Sequence, residues 1–259
     1  MDANLVEIFS SVQGEGPDVG RRTLFVRLGG CDLRCAWCDT PHTWLPAREA
    51  RIEQTPGVGD FEVRPNPVPV ADIVDAVARH VDALPHAFVS LTGGEPLLQA
   101  DVCAAIAEPV RALGPAIHLE THGLHADGLG TVLPHIDVVS MDWKLRSDVR
   151  RESEPKGGAG GETFAAEHRR FLEVAKAAPS VLVKLVITPA STDAELHEAR
   201  DAIAEIHPGA SVVLQPVTPF AKVAERPSPE RMLALHALFL ERLPETRVIP
   251  QTHPIWGVR

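Results

Sequence analysis

From residue 70 onward, short apolar runs alternate with amphipathic segments, and that alternation most narrows what the chain can fold into. VADIVDAVARHV places Ile73, Val74, Val77 and Val81 at helical spacing. AFVSL (87–91) reads as a buried strand, and a helix follows over about 96–112 that Pro109 ends or kinks. Further strands are expected at AIHLE (116–120), IDVVS (136–140), SVLVKLVI (180–187), SVVLQ (211–215) and TRVIP (246–250). Helices are expected between them over 162–178, 192–206 and 229–243. Two more β-like runs, LVEIF (5–9) and TLFVRLG (23–29), open the chain. Such alternation means a parallel sheet with right-handed crossovers. About six βα units with flanking strands suit an α/β fold of the partial (β/α)6 barrel kind, read as one domain over 1–259. The Pro-rich stretch from 41 to 70 is too long for an ordinary connection. Its middle, about 43–68, reads as a functional insertion or a partly mobile loop. The Gly-rich loop 154–162 carries no recognisable signal.

Folds of this class put their chemistry at the C-terminal ends of the strands. The residues there are TGGEP (92–96), THG (121–123), SMDWK (140–144), ITP (187–189), QPV (215–217) and PQTH (250–253). Nearly every strand therefore ends in polar or Gly-rich sequence, and one rim of the sheet reads as a binding site. Composition excludes several other classes. A net charge of −10 without a Lys/Arg cluster argues against a nucleic-acid surface. No apolar run is long enough to span a bilayer, and MDANLVEIFS has acids where a signal peptide needs bases. The expected setting is cytoplasmic, with no membrane partner.

Three of the four cysteines lie in one short stretch, CDLRCAWCDTPH (31–42), which suits metal or redox chemistry better than a disulfide framework. Cys31, Cys35, Cys38 and His42 could close a Cys3His zinc site, although the spacing is not a common zinc one and the ligands are crowded. Alternatively, three thiolates hold three iron corners of a 4Fe-4S cube and leave the fourth iron open. C-x3-C-x2-C is the spacing of the radical S-adenosylmethionine (SAM) superfamily, with Trp37 where its members carry an aromatic. TGGEP resembles that superfamily's GGE motif and favours the cluster over zinc. Gly93 and Gly94 allow close backbone approach to a ligand, and Glu95 offers an acceptor for the ammonium of methionine. Cys103, in the apolar run DVCAAIA, reads as a buried, inert thiol.

FSSVQGEG (9–16), FVRLGGC (25–31) and CDT (38–40) together resemble the 7-carboxy-7-deazaguanine synthase family of radical SAM enzymes. The resemblance continues through GGEPLLQ (93–99), ETHG (120–123), the QPV strand end and QTHPIWGVR (251–259). It implies conversion of 6-carboxy-5,6,7,8-tetrahydropterin to 7-carboxy-7-deazaguanine with loss of ammonia, using a 4Fe-4S cluster, SAM and Mg²⁺. It also implies a flavodoxin- or ferredoxin-type electron donor and a homodimer. A glycyl-radical activase would share the cysteine motif but would give no reason for QGEG, CDT and QTH.

On this resemblance Cys31, Cys35 and Cys38 hold the cluster, and Thr40 gives Mg²⁺ a hydroxyl oxygen, although alone it would read as a helix cap. Trp37, Asp39, Gly94, Glu95, Glu120, Ser140, Lys144 and Gln215 fall on the SAM side. Ser140 and Lys144 stand as S-x3-K where relatives commonly carry S-P-K, and Glu120 could simply cap a loop. Gln13, Gly14, Glu15, Arg27, Thr92 and His253 fall on the substrate side. Gln13 and Glu15 suit the donors and acceptors of a 2-amino-pyrimidinone edge, and Gly14 brings the loop backbone close. Arg27 suits a carboxylate, with structural pairing to Glu7 as the alternative.

Overall fold

Ten strands form one sheet in the computed structural model, which describes residues 1–155 and 162–258. In chain order they are β1 (Leu5–Val12), β2 (Arg22–Leu28), β3 (Glu49–Glu53), β4 (Phe61–Pro65) and β5 (Phe88–Gly93). The rest are β6 (Ala116–Thr121), β7 (Val138–Asp142), β8 (Ser180–Ile187), β9 (Ser211–Pro216) and β10 (Thr246–Val248). Across the sheet they run β10-β9-β8-β7-β6-β5-β2-β1-β3-β4. Neighbours from β2 through β5 to β10 are parallel, while β1 pairs antiparallel with β2. The end strands β4 and β10 do not pair with each other, so the barrel is partial, as the alternation predicts.

The helices α1 (Val70–Ala83), α2 (Ala100–Arg111), α3 (Ala126–Val132), α4 (Ala165–Ala175), α5 (Asp193–Ile206) and α6 (Pro229–Leu240) cover one face of the sheet. A final turn, α7, spans His253–Trp256. Helix α5 opens on a capping box in which Thr192 and Glu195 satisfy each other's backbone amides. Pro109 sits inside α2, which ends two residues later at Arg111. Val89, Leu91, Ile117, Leu119, Val139, Met141, Val183, Leu185, Val212 and Leu214 all join one buried apolar core with the helices. Because side chains alternate across a strand, the residues between them point the other way. Most of those positions are polar: Ser90 and Thr92, His118 and Glu120, Ser140 and Asp142, Lys184, Ser211 and Gln215, with Leu182, Val186 and Val213 as apolar exceptions. The sheet is thus apolar toward its helices and polar toward a cavity.

Two segments differ from the sequence expectation. The stretch 43–68 contains the antiparallel β3–β4 hairpin, whose first strand adds parallel to β1 through Glu7↔Arg51 and Ile8↔Ile52. Its Pro-rich flanks hid the pattern, yet Ala50 and Ile52 are fully buried in the main core. Helix α3 is short and Gly-containing, so it lacks the periodicity that marks the longer helices. Most of the Gly-rich stretch 154–162 lies outside the described residues.

Candidate active site

A cavity of about 560 Å³ opens on the polar face of the sheet at the C-terminal strand ends. Two separate structures build its cysteine wall. Leu33–Cys35 pairs antiparallel with Val149–Arg151, so the loop after β2 is strapped to the loop after β7. Amides of Gly30 and Cys31 donate to the carbonyls of Thr43 and Trp44 at 2.8 and 3.1 Å, closing the loop on itself. Leu33 belongs to a small second core with Leu124, Val149 and Phe164, against which Cys31 and Cys35 pack. All three thiols are half-buried and line the cavity. Burial pushes Cys31 up to about 12 and Cys35 up to about 11, so bare thiolates are disfavoured here. A bound cationic metal centre reverses that preference and deprotonates them outright, and three half-buried thiols facing one cavity fit a cluster held on one side. Cys103, by contrast, is fully buried in the apolar core and its thiol reaches the Pro96 carbonyl at 3.3 Å.

Both glycines line the cavity, and the fold gives the pair a second, steric reason. Gly93 has φ +149°, and a Cβ there would lie 2.1 Å from the Leu28 carbonyl oxygen. A Cβ on Gly94 would lie 2.4 Å from the Gly30 oxygen and 2.7 Å from Cys31 Cβ. Both glycines are therefore required so that the end of β5 can press against the cysteine loop. Glu95 is fully buried and does not line the cavity. Its carboxylate accepts from the Leu97 amide at 3.0 Å, from Thr121 Oγ1 at 2.8 Å and from the His122 amide at 2.8 Å.

The remaining expected residues meet on the cavity through paired strands. Gln13, Gly14, Glu15, Arg27, Trp37, Asp39, Thr40, Thr92, Gly94, Glu120, Ser140, Lys144 and His253 all line it. Register puts Arg27 beside Thr92 and Ser140 beside Glu120. Glu120 is a hub, accepting from Ser90 Oγ at 2.7 Å, Gln13 Nε2 at 3.1 Å and Thr92 Oγ1 at 3.4 Å. Arg27 donates its Nε to Glu7 Oε1 at 3.0 Å and still lines the cavity, so the pairing with Glu7 and a cavity role coexist. Thr40 makes no side-chain cap at the turn it opens, and its hydroxyl lies 4.0 Å from Cys38 Sγ. Gln215 is buried behind the lining and donates to Glu15 at 3.2 Å.

Beside the cysteine loop runs a chain of alternating charges, of which sequence reasoning named Glu15 and Lys144 but not the chain. Glu15 pairs with Lys184, Lys184 with Asp142 at 3.0 Å, and Asp142 with Lys144 at 2.5 Å. Lys144 in turn lies 4.5 Å from the Trp37 ring centroid. Burial works against every one of these charges, but the opposite neighbours outweigh it. Asp142 is held at about 2, Glu15 below its ordinary value, and both lysines above theirs. The available signal was Lys184 itself, a lone charge inside the apolar strand SVLVKLVI. Gln251 adds a 2.6 Å bond to Glu15 and one of 3.3 Å to Asp39, so the C-terminal segment closes that corner. Thr252 docks the same segment on the Gly14 carbonyl, and a Cβ on Gly14 would lie 2.8 Å from His253. Arg51, from the β3–β4 hairpin, reaches the cavity and packs 4.4 Å over Phe61.

Comparison with known proteins agrees with this arrangement. The radical SAM superfamily model matches residues 25–203. The chain is 38% identical to the 7-carboxy-7-deazaguanine synthase of Geobacter sulfurreducens over 98% of this chain and 97% of that protein. It is 30% identical to the synthase of the same name from Archaeoglobus fulgidus over the full length of both. The crystal structure of QueE from Escherichia coli, 22% identical, superimposes with a TM-score of 0.62 over 98% of this chain and 95% of that one, a likeness of fold. With three cysteines of radical SAM spacing on one cavity and near-full-length identity to these relatives, the chain belongs to the radical SAM superfamily and, within it, to the 7-carboxy-7-deazaguanine synthase family.

Proposed function

We propose that the chain is a lyase that contracts the ring of 6-carboxy-5,6,7,8-tetrahydropterin to give 7-carboxy-7-deazaguanine and ammonia, a step of queuosine-type 7-deazapurine biosynthesis. The observation that carries this reading is convergence. The three thiols and the substrate-side residues Gln13, Gly14, Glu15, Arg27, Thr92 and His253 line the same cavity. Cys31, Cys35 and Cys38 would hold a 4Fe-4S cluster, which together with bound SAM would supply the radical chemistry that the ring contraction needs.

The chain's own residues bind and orient. Arg27 takes the substrate carboxylate on its terminal nitrogens while Glu7 fixes the guanidinium through Nε. Gln13 and Glu15 receive the amino-pyrimidinone edge, and a donor reaching Glu15 replaces the Gln251 amide there. Thr92 and His253 complete the substrate side. Glu120, Ser140, Trp37, Asp39, Gly94 and Lys144 border the SAM side, with Gln215 behind Glu15. Glu95 holds the turn through Leu97, Thr121 and His122 and acts on SAM through the position of Gly94. Thr40, with a hydroxyl that caps nothing, supplies an oxygen to Mg²⁺ beside the substrate. The same reading carries a flavodoxin- or ferredoxin-type electron donor, a homodimer and a cytoplasmic setting.

The test is anaerobic incubation of cluster-reconstituted protein with the pterin, SAM and a reductant, with and without Mg²⁺. Formation of the deazaguanine with one ammonia, slowed by omitting Mg²⁺ and made Mg²⁺-insensitive by Thr40→Val, is the expected result. An unchanged pterin refutes the proposal.

A further inference from the structure

Asp32, the residue after Cys31, faces two histidines of the loop between β6 and α3. Its Oδ1 lies 2.8 Å from His122 Nε2 and its Oδ2 lies 3.2 Å from His125 Nε2. The carboxylate and the two imidazole nitrogens all lie within 4.8 Å of one another, with ring centroids 5.1 Å apart. We propose that Asp32, His122 and His125 form a second metal site, for a borderline dication such as Zn²⁺, independent of the cysteine cluster.

The argument begins with protons. His122 is a buried ring whose Nδ1 lies 3.3 Å from Glu95 Oε2 while its Nε2 faces Asp32. A neutral imidazole carries one N–H. If the proton sits on Nε2, the Nδ1 lone pair faces the Glu95 carboxylate. If it sits on Nδ1, the Nε2 lone pair faces Asp32 at 2.8 Å. Either a second ring proton or a cation between Nε2 and Asp32 removes the conflict.

His125 decides between them. Its Nε2 is buried and, among the described residues, has no aligned hydrogen-bond partner despite its closeness to Asp32. A proton on His125 Nε2 would give that nitrogen only the poorly aligned Asp32 Oδ2 at 3.2 Å, whereas a metal would take its lone pair together with the other two ligands. Separations of 2.8 and 3.2 Å are a few tenths of an ångström below the roughly 3.4 Å between neighbouring ligands of a tetrahedral ion with bonds of about 2.1 Å, so the three side chains would open slightly to admit it. Glu95 Oε2, 3.3 Å from His122 Nδ1, would then face the second N–H of a metal-bound ring and favour that tautomer.

Two imidazoles with one carboxylate select zinc-like ions over magnesium or calcium, which prefer all-oxygen sites. Asp32 and His125 keep about a third of their side-chain surface exposed, 34% and 31%, which leaves an entry path and room for water ligands. Occupied, the site would brace the cysteine loop against the ends of β6 and α3. It does not depend on which substrate the cavity takes.

The experiment uses anaerobically reconstituted holoprotein, stripped of loose metal with a chelator and dialysed against micromolar ZnCl2. The expected result is one zinc per chain beyond the cluster, with iron and sulfide unchanged. X-ray absorption at the zinc edge should show only nitrogen and oxygen neighbours near 2.0–2.1 Å. His125→Ala and Asp32→Asn should each weaken zinc binding at least tenfold while His125→Ala retains full iron. Absence of zinc in the wild type, a zinc–sulfur shell near 2.3 Å, or undiminished zinc in both variants would overturn the proposal.

Discussion

The two walls of the cavity are built by opposite rules. The cysteine wall comes from one contiguous stretch, residues 31–44, closed by its own backbone bonds and supported by two glycines at the end of β5. The ionic wall beside it is assembled from Glu15, Asp142, Lys144 and Lys184, and its Glu15–Lys184 link spans 169 residues of sequence. The first wall presents its three thiols on one contiguous loop, and distant segments only support that loop from behind, through Val149–Arg151 and the end of β5. The second consists of buried charges that satisfy one another, so it exists only if β1, β7 and β8 are in register. A contiguous site fails by losing its ligand, whereas a dispersed ionic site fails by destabilising the fold around it.

The largest expected effect is on the cysteine side. Cys35→Ala should abolish iron and sulfide incorporation and drop turnover below detection, whereas Lys144→Met should keep full iron. Measuring iron, sulfide and the visible spectrum of both variants breaks the comparison if the lysine variant also loses its cluster. On the ionic wall, Asp142→Asn leaves Lys144 and Lys184 facing each other without their shared partner. It should cost about 3–5 kcal/mol in urea unfolding while the apoprotein's cysteine loop is untouched.

Next in size is Gly93→Ala, which combines a left-side φ with a clash on the Leu28 carbonyl and should cost roughly 1–3 kcal/mol. Gly130→Ala, in a helix with open space around it, should instead be neutral or stabilise by up to about 1 kcal/mol. The pair, measured by thermal melting, separates a tertiary requirement for glycine from mere helix propensity.

The smallest effect, read per pH unit, is a slope of stability. His168 is fully buried against Trp143 and Phe164, and burial holds its pKa down at about 3. Between that value and the ordinary one near 6.5, the unfolded chain binds a proton that the folded chain refuses. Stability should therefore fall as pH drops from about 6.5 toward 3, by about 1 kcal/mol per unit, and His168→Gln should flatten that slope. A wild-type curve that is level between pH 6 and 5 would show that the ring is protonated in the fold.

Legibility followed the same division. The C-x3-C-x2-C loop, the GGE turn and QGEG are contiguous motifs, so they could be read directly even where the reasons for their residues are tertiary. Cys103 was readable too, because an apolar helical run implies burial whatever the neighbours are. Asp142, Lys184 and Gln251 were missed because their meaning lies in partners on other strands. Arg51 was hidden in a Pro-rich stretch whose β3–β4 pairing is visible only beside β1. The reasons behind Gly93, Gly94 and Glu95 were likewise tertiary: two of them make room for the cysteine loop, and the third is consumed by Thr121 and His122.

By itself the sequence determined the α/β class, the order of the sheet strands and longer helices from Val70 onward, and the identity of the cysteine loop. Periodicity, capping and contiguous motifs are local properties, and local properties survive without coordinates. Only the tertiary structure decided which polar strand residues face one another, which carboxylates are already engaged, and that Asp32 meets two histidines. Those facts depend on register between segments far apart in the chain, and a shift of one residue in any strand would send its polar side chains to the opposite face.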